Sequence, residues 1–357
     1  MATERAMEMV RSDGREEKLE GAREIRRLTK TSSMHRRQLS GAIESLVSML
    51  GSGDLDCNES ALLALLNLAV RDERNKIKIV DAGALKPLIN FLQSHNSNLQ
   101  EHATAAILTL SASAVNKPPI TTAGAIPLLV NILRDSSLQS KIDSVMALYN
   151  LSIHPDNLQI ILSVQPVSPI INLLRSCKKS SKTAERCSAL LESLMHFDEA
   201  RNALTAVEGG VLRVVEVLED GSLQGREHAV GALLAMCESD RRRYREVILK
   251  EGAIPGLLEL TVQGTPKSQT KARMLLQLLR ESPYARSKFQ TDVLENIVIN
   301  IVSQIDEDER SGKAKKMLAE MVQGSMERSL RHLQQRALVC NLTDLHVTNC
   351  ASEVPLK

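Results

Sequence analysis

The phrase GALKPLINFL at residues 83–92 is written again as GAIPLLVNIL (124–133), GGVLRVVEVL (209–218) and GAIPGLLELT (252–261). Two weaker copies, GAIESLVSML from 41 and QPVSPIINLL from 165, complete the series. The starts are separated by 42, 41, 41, 44 and 43 residues. A period in this range belongs to helical solenoids, in which a unit cannot bury its apolar face alone and hides it against its neighbours. The repeat therefore overrides the two-domain organisation that 357 residues would otherwise suggest.

One unit runs from Arg71 to Ala112. RDERNKIKIVDA reads as a short helix ending at Gly83, where a residue without Cβ permits the sharp turn of a left-handed backbone. ALKPLINFLQS is a second helix, with Leu85, Leu88, Ile89 and Leu92 at helical spacing and Pro87 in its first turn. After the polar break SHNSN, NLQEHATAAILTLSA is a third helix, apolar on nearly every side, and such a helix needs cover all round. It recurs over 59–70, 139–153, 182–197, 226–239 and 268–282. The stretch 15–30 reads as an orphan third helix that starts the stack, and 293–305 with 312–322 as a degenerate last unit. Both ends are more charged than the middle, as capping units must be. With aromatics at 2% and no Trp, the core is built from Leu, Ile, Val and Ala, which suits closely packed helices.

The sequence thus predicts an all-α, right-handed superhelical solenoid of about seven units over residues 15–322. A disordered segment, 1–14, is expected before it, and an amphipathic helix (325–338) with a flexible tail within 323–357 after it. The net charge of +2 argues against wholesale attraction to nucleic acid or membrane. No apolar run has the length of a signal peptide or a membrane span. The six cysteines (57, 177, 187, 237, 340 and 350) are scattered without a C-x-x-C pair and read as reduced thiols. A cytoplasmic or nuclear protein is expected.

The GA-I-P-L-L phrase, the polar break and the Ala/Leu helix closing in LLNLA (65–69) or LYNLS (148–152) resemble the armadillo repeat. The wording TKTSSMHRRQLSGAIESLVSML and NESALLALLNLA is similar to the armadillo half of plant U-box/armadillo proteins. In that family the U-box recruits the conjugating enzyme and the armadillo stack recognises partners. Residues 1–14 are too few for a U-box, so the resemblance implies recognition without catalysis. An enzyme reading finds no G-x-x-x-x-G-K-S/T, G-x-G-x-x-G, H-E-x-x-H or G-x-S-x-G. Cys177, Cys187 and His196 do not have zinc-site spacing. No cofactor, metal or small-molecule substrate is expected.

The resemblance also implies where recognition takes place, since armadillo third helices line a concave groove. The importin-α type places an Asn late in each third helix and a Trp four residues before it, on the same face. Here Asn67 and Asn150 hold the Asn position, Thr109, Ser193, Met236 and Leu279 replace it elsewhere, and Leu63, Ala105, Met146, Ala189 and Ala232 stand at the Trp position. Without aromatic slots a nuclear-import receptor is excluded. The expected site is the row Asn67, Thr109, Asn150 and Ser193, holding an extended segment or helix of a partner protein. The competing role for the two Asn side chains is to hold the turn into the next unit. Two basic clusters, Arg23 to Arg37 and DRRRYRE with Arg241, Arg242, Arg243 and Arg245 in a loop, read as solvated surface or as contacts for acidic partners. Specific nucleic-acid binding is not expected, because the aromatics needed for base stacking are missing.

Overall fold

The computed structural model describes residues 2–280, where every α or 3-10 element is helical and no strand occurs. The degenerate last unit, the 325–338 helix and the tail expected from the sequence lie outside the described residues. Seven third helices follow one another: Arg15–Thr29, Leu55–Ala69, Ser97–Ser111, Leu138–Ser152, Lys182–Leu194, Leu223–Ser239 and Pro266–Leu279. Each packs on the next, forming one continuous row, and the second helices from Leu85–Leu92 to Ile254–Gln263 form a parallel row of their own.

Local chemistry explains the boundaries. Every third helix from Leu55 onward opens on a side-chain cap: Asp54, Asn96, Ser137, Ser181, Ser222 or Thr265 accepts from a backbone N–H two or three residues ahead. At the step into the second helix, Gly83, Gly124, Gly209 and Gly252 have φ of 90°, 82°, 64° and 78°. The weak copy at 165 makes the same turn with a side chain present, Gln165 at φ 54°.

The interior is aliphatic, as the composition requires. Leu148 and Leu151 are fully buried between neighbouring units, and among the described residues Tyr244 is the largest fully buried side chain. Near the ends of four third helices a second device fixes the turn. Asn75, Asn116 and Asn157 are almost completely buried and donate to the last carbonyls of the helix before them, Leu68, Leu110 and Leu151, at 3.0, 3.2 and 2.9 Å. Asn75 and Asn116 also reach Arg36 O and Lys76 O, about one repeat earlier. Arg201 takes this place in the next unit, donating to Met195 O at 2.5 Å. Buried carbonyls at helix ends must find donors, and one amide here serves two.

Two expectations are corrected. The segment 1–14, expected to be disordered, instead holds a helix, Ala2–Arg11, with Ala6 and Val10 buried against Arg15–Thr29 and Arg11 donating to Gly41 O at 3.2 Å. Its polar residues lie on the other face, so a short amphipathic helix looked like a charged tail. The DRRRYRE run is not a loop either, but the start of helix Arg241–Lys250, capped by Asp240.

Candidate protein-binding surface

On the row of third helices, Asn67, Thr109, Asn150 and Ser193 occupy equivalent late positions and are all partly exposed. Met236 and Leu279, at the same step in the next two units, are buried, as is Ala232 one turn before Met236. The polar-to-apolar change along the row therefore marks a change from open to covered surface.

Neither Asn is a free presenter of hydrogen bonds. Asn67 Nδ2 donates to Arg26 O at 2.9 Å, and Asn150 Nδ2 to Ser111 Oγ at 3.2 Å and Leu108 O at 3.4 Å. All three acceptors belong to the preceding third helix, so these amides tie unit to unit. The turn into the next unit, the competing role, falls instead to Asn75, Asn116 and Asn157. Thr109 and Ser193 bond within their own helices, to Ala105 O at 2.8 Å and Ala189 O at 3.2 Å.

Beyond Ser193 an ion network lies across the row. Glu192 accepts from His228 Nδ1 at 2.7 Å and from Lys271 Nζ at 2.6 Å, so three consecutive third helices share one carboxylate. Lys271 reaches Glu192 over the intervening helix at Gly231, where an added Cβ would collide with Glu192 Oε1 and lie 2.9 Å from Lys271 Nζ. Burial alone would raise the Glu192 carboxyl, but the bonds from His228 and Lys271 outweigh it and hold it below its ordinary value.

A second pattern escaped the sequence reading. Glu59, Glu101, Asp143, Glu185 and Glu227 stand at intervals of 42 residues on five consecutive third helices. Glu101 accepts from Ser137 Oγ at 2.8 Å, Glu185 from Ser222 Oγ at 3.4 Å and Glu227 from Thr265 Oγ1 at 2.5 Å. Each of these three hydroxyls is the cap of the next third helix, so the carboxylates lie beside the positive ends of helix dipoles. Asp143 accepts from Gln139 at 3.0 Å; burial, with Glu101 adding to it, raises its carboxyl. The signal was present as an exact period, but it was masked by the more conspicuous apolar one.

Part of each basic cluster is structural, while Arg23, Arg26, Lys30, Arg37, Arg242 and Arg243 are exposed. Arg36 is buried and donates to Thr29 O and Lys30 O at 3.1 and 3.3 Å, and Arg27 pairs with Glu24 at 2.7 Å. Arg241 and Arg245 cap the last described third helix, donating to Leu278 O at 2.5 Å and Leu279 O at 2.9 Å. Among the described residues no His, Cys, Asp and Glu cluster could hold a metal ion, and no single helix is long and apolar enough to cross a membrane.

A stack of capped three-helix units sharing one row of third helices defines an armadillo-repeat interaction scaffold. The profile of the plant U-box protein ARM repeat region matches residues 2–291, and the chain belongs to that family. It is 30% identical over 260 residues to U-box domain-containing protein 45 of Arabidopsis thaliana, covering 71% of this chain and 33% of that protein. It is 42% identical over 69 residues to E3 ubiquitin-protein ligase SPL11 of Oryza sativa subsp. japonica, covering 19% of this chain and 10% of the relative. The chain thus spans a third or less of these relatives. A solved engineered protein superposes with a TM-score of 0.67 at 23% identity over 88% of this chain and 77% of that one, which concerns the fold alone.

Proposed function

We propose that the chain binds an extended segment of a partner protein along the third helices from Leu55 to Leu194, in signalling or regulated protein turnover, and performs no catalysis itself. The observation that carries this reading is the run of four partly exposed polar positions, Asn67, Thr109, Asn150 and Ser193, which ends where the Glu192–Lys271 bridge crosses the row. The partner is a protein of the cytoplasm or nucleus, and no nucleic acid or small molecule is required.

Because Asn67 and Asn150 also tie units together, changing them alters stability as well as binding. Thr109→Arg and Ser193→Arg are cleaner tests, since each side chain bonds only within its own helix. With partners isolated by affinity purification, both variants should keep the parent's melting temperature and lose the partner. Full retention of binding by the double variant contradicts the reading.

Family membership favours a second reading, an accessory role as adaptor or competitor in U-box-type ubiquitin ligation. Adding the purified chain to a reconstituted U-box ligase should then change the rate at which a shared partner is modified. Ubiquitin transfer by the chain alone, with only activating and conjugating enzymes present, contradicts the non-catalytic assignment.

A further inference from the structure

Arg186 differs from the other cations on this row. It lies seven residues before Ser193 on helix Lys182–Leu194, two turns along the same face. Its guanidinium carbon stands 4.3 Å from the centroid of Tyr149, the neighbour of Asn150 on the preceding third helix. Both side chains are partly exposed. A guanidinium held over a ring is restrained in position, and its N–H donors remain available to an incoming acceptor.

The carboxylates around it are engaged elsewhere. Asp143 accepts from Gln139, Glu185 from Lys182 and Ser222, and Glu192 from His228 and Lys271. Among the described residues Arg186 makes no hydrogen bond or ion pair. A preorganised planar fork with unspent donors matches a carboxylate in two-point geometry. Its place, against the neighbour of Asn150 and two turns before Ser193 on the last helix of the path, is the end of the proposed binding path.

We infer that Arg186, held on Tyr149, receives a single Asp or Glu side chain of the partner's extended segment. This rests on the groove reading above and names the chemistry at one of its positions. A single acid is named because Arg186 offers one fork, while the partly exposed Glu59 and Glu101 on the earlier third helices disfavour further negative charge; Asp143 and Glu185 are buried.

The test is a selection of random twelve-residue peptides on the immobilised full chain, followed by titration of synthetic winners. Winners should share one Asp or Glu, and its replacement by Gln should weaken binding about tenfold or more, about 1.4 kcal/mol. Arg186→Gln should cost as much and Arg186→Lys nearly as much, because Lys lacks the planar fork. Tyr149→Leu should weaken binding in the same direction, all with melting temperatures unchanged. Winners that are sensitive to Thr109→Arg but carry no shared acid and ignore Arg186→Gln overturn this inference while leaving the groove reading standing. Winners indifferent to both substitutions, or no winners at all, overturn both. Binding only when the position carries phosphoserine replaces the carboxylate by a phosphate and overturns the partner class named here.

Discussion

Gln165 holds a left-handed backbone that its counterparts assign to glycine, and an L side chain in that region costs about 1–2 kcal/mol. Gln165→Gly should therefore raise stability by up to about 1 kcal/mol, after the extra freedom glycine gives the unfolded chain is subtracted. Gly124→Val should lower it by about 1–2 kcal/mol. Apart from Gly124 and its two chain neighbours, no residue has an atom within 4 Å of a Cβ added there, so this loss is one of backbone conformation and not of crowding. Chemical denaturation of the two variants checks both signs, and equal stability of Gly124→Val and the parent contradicts the turn assignment. The glycine step was legible because one residue type serves one backbone requirement. The buried amide clamp went unread although Asn75, Asn116, Asn157 and Arg201 follow steps of 41, 41 and 44, because an Asn in a short polar helix reads as solvated surface and Arg201 changes the residue type. Asn116→Ala removes two buried hydrogen bonds, each worth about 0.5–1.5 kcal/mol, and should cost about 1–3 kcal/mol.

At the scale of the element, third helices were readable from their apolar girth and the polar break before them, while contacts between them were not. Lys271 and Glu192 are 79 residues apart and meet only because Gly231 leaves room above the helix between them. No periodic pattern announces a pairing that skips a unit. The bridge has a pH signature. The Glu192 carboxyl is depressed in the folded chain, so its stabilisation is complete above the ordinary value of 4.5 and is lost as pH falls through the folded-state value. Below about pH 4.5 the parent's melting temperature should fall more steeply than that of Glu192→Gln. Parallel curves for the two proteins contradict the bridge. The helix Ala2–Arg11 was missed for a different reason: ten residues offer barely three turns, too few for a period to stand out from charge.

Across the whole molecule, stability is a sum over units and their interfaces, so damage should spread only to neighbours. Leu148 is fully buried, and Leu148→Ala should cost about 2–5 kcal/mol. The accompanying rise in amide exchange should be concentrated in residues 124–197 and be small in the terminal units; a uniform rise describes a single cooperative globule instead. The long shared surface, the reason for repeating one phrase, is also where the account is most exposed. Hydrogen exchange of the full chain, alone and saturated with an affinity-purified partner, tests it directly. Protection should appear in helices Leu55–Ala69, Ser97–Ser111, Leu138–Ser152 and Lys182–Leu194 and should fade beyond the Glu192–Lys271 bridge. Protection confined to the second helices, from Leu85–Leu92 to Ile254–Gln263, would contradict it.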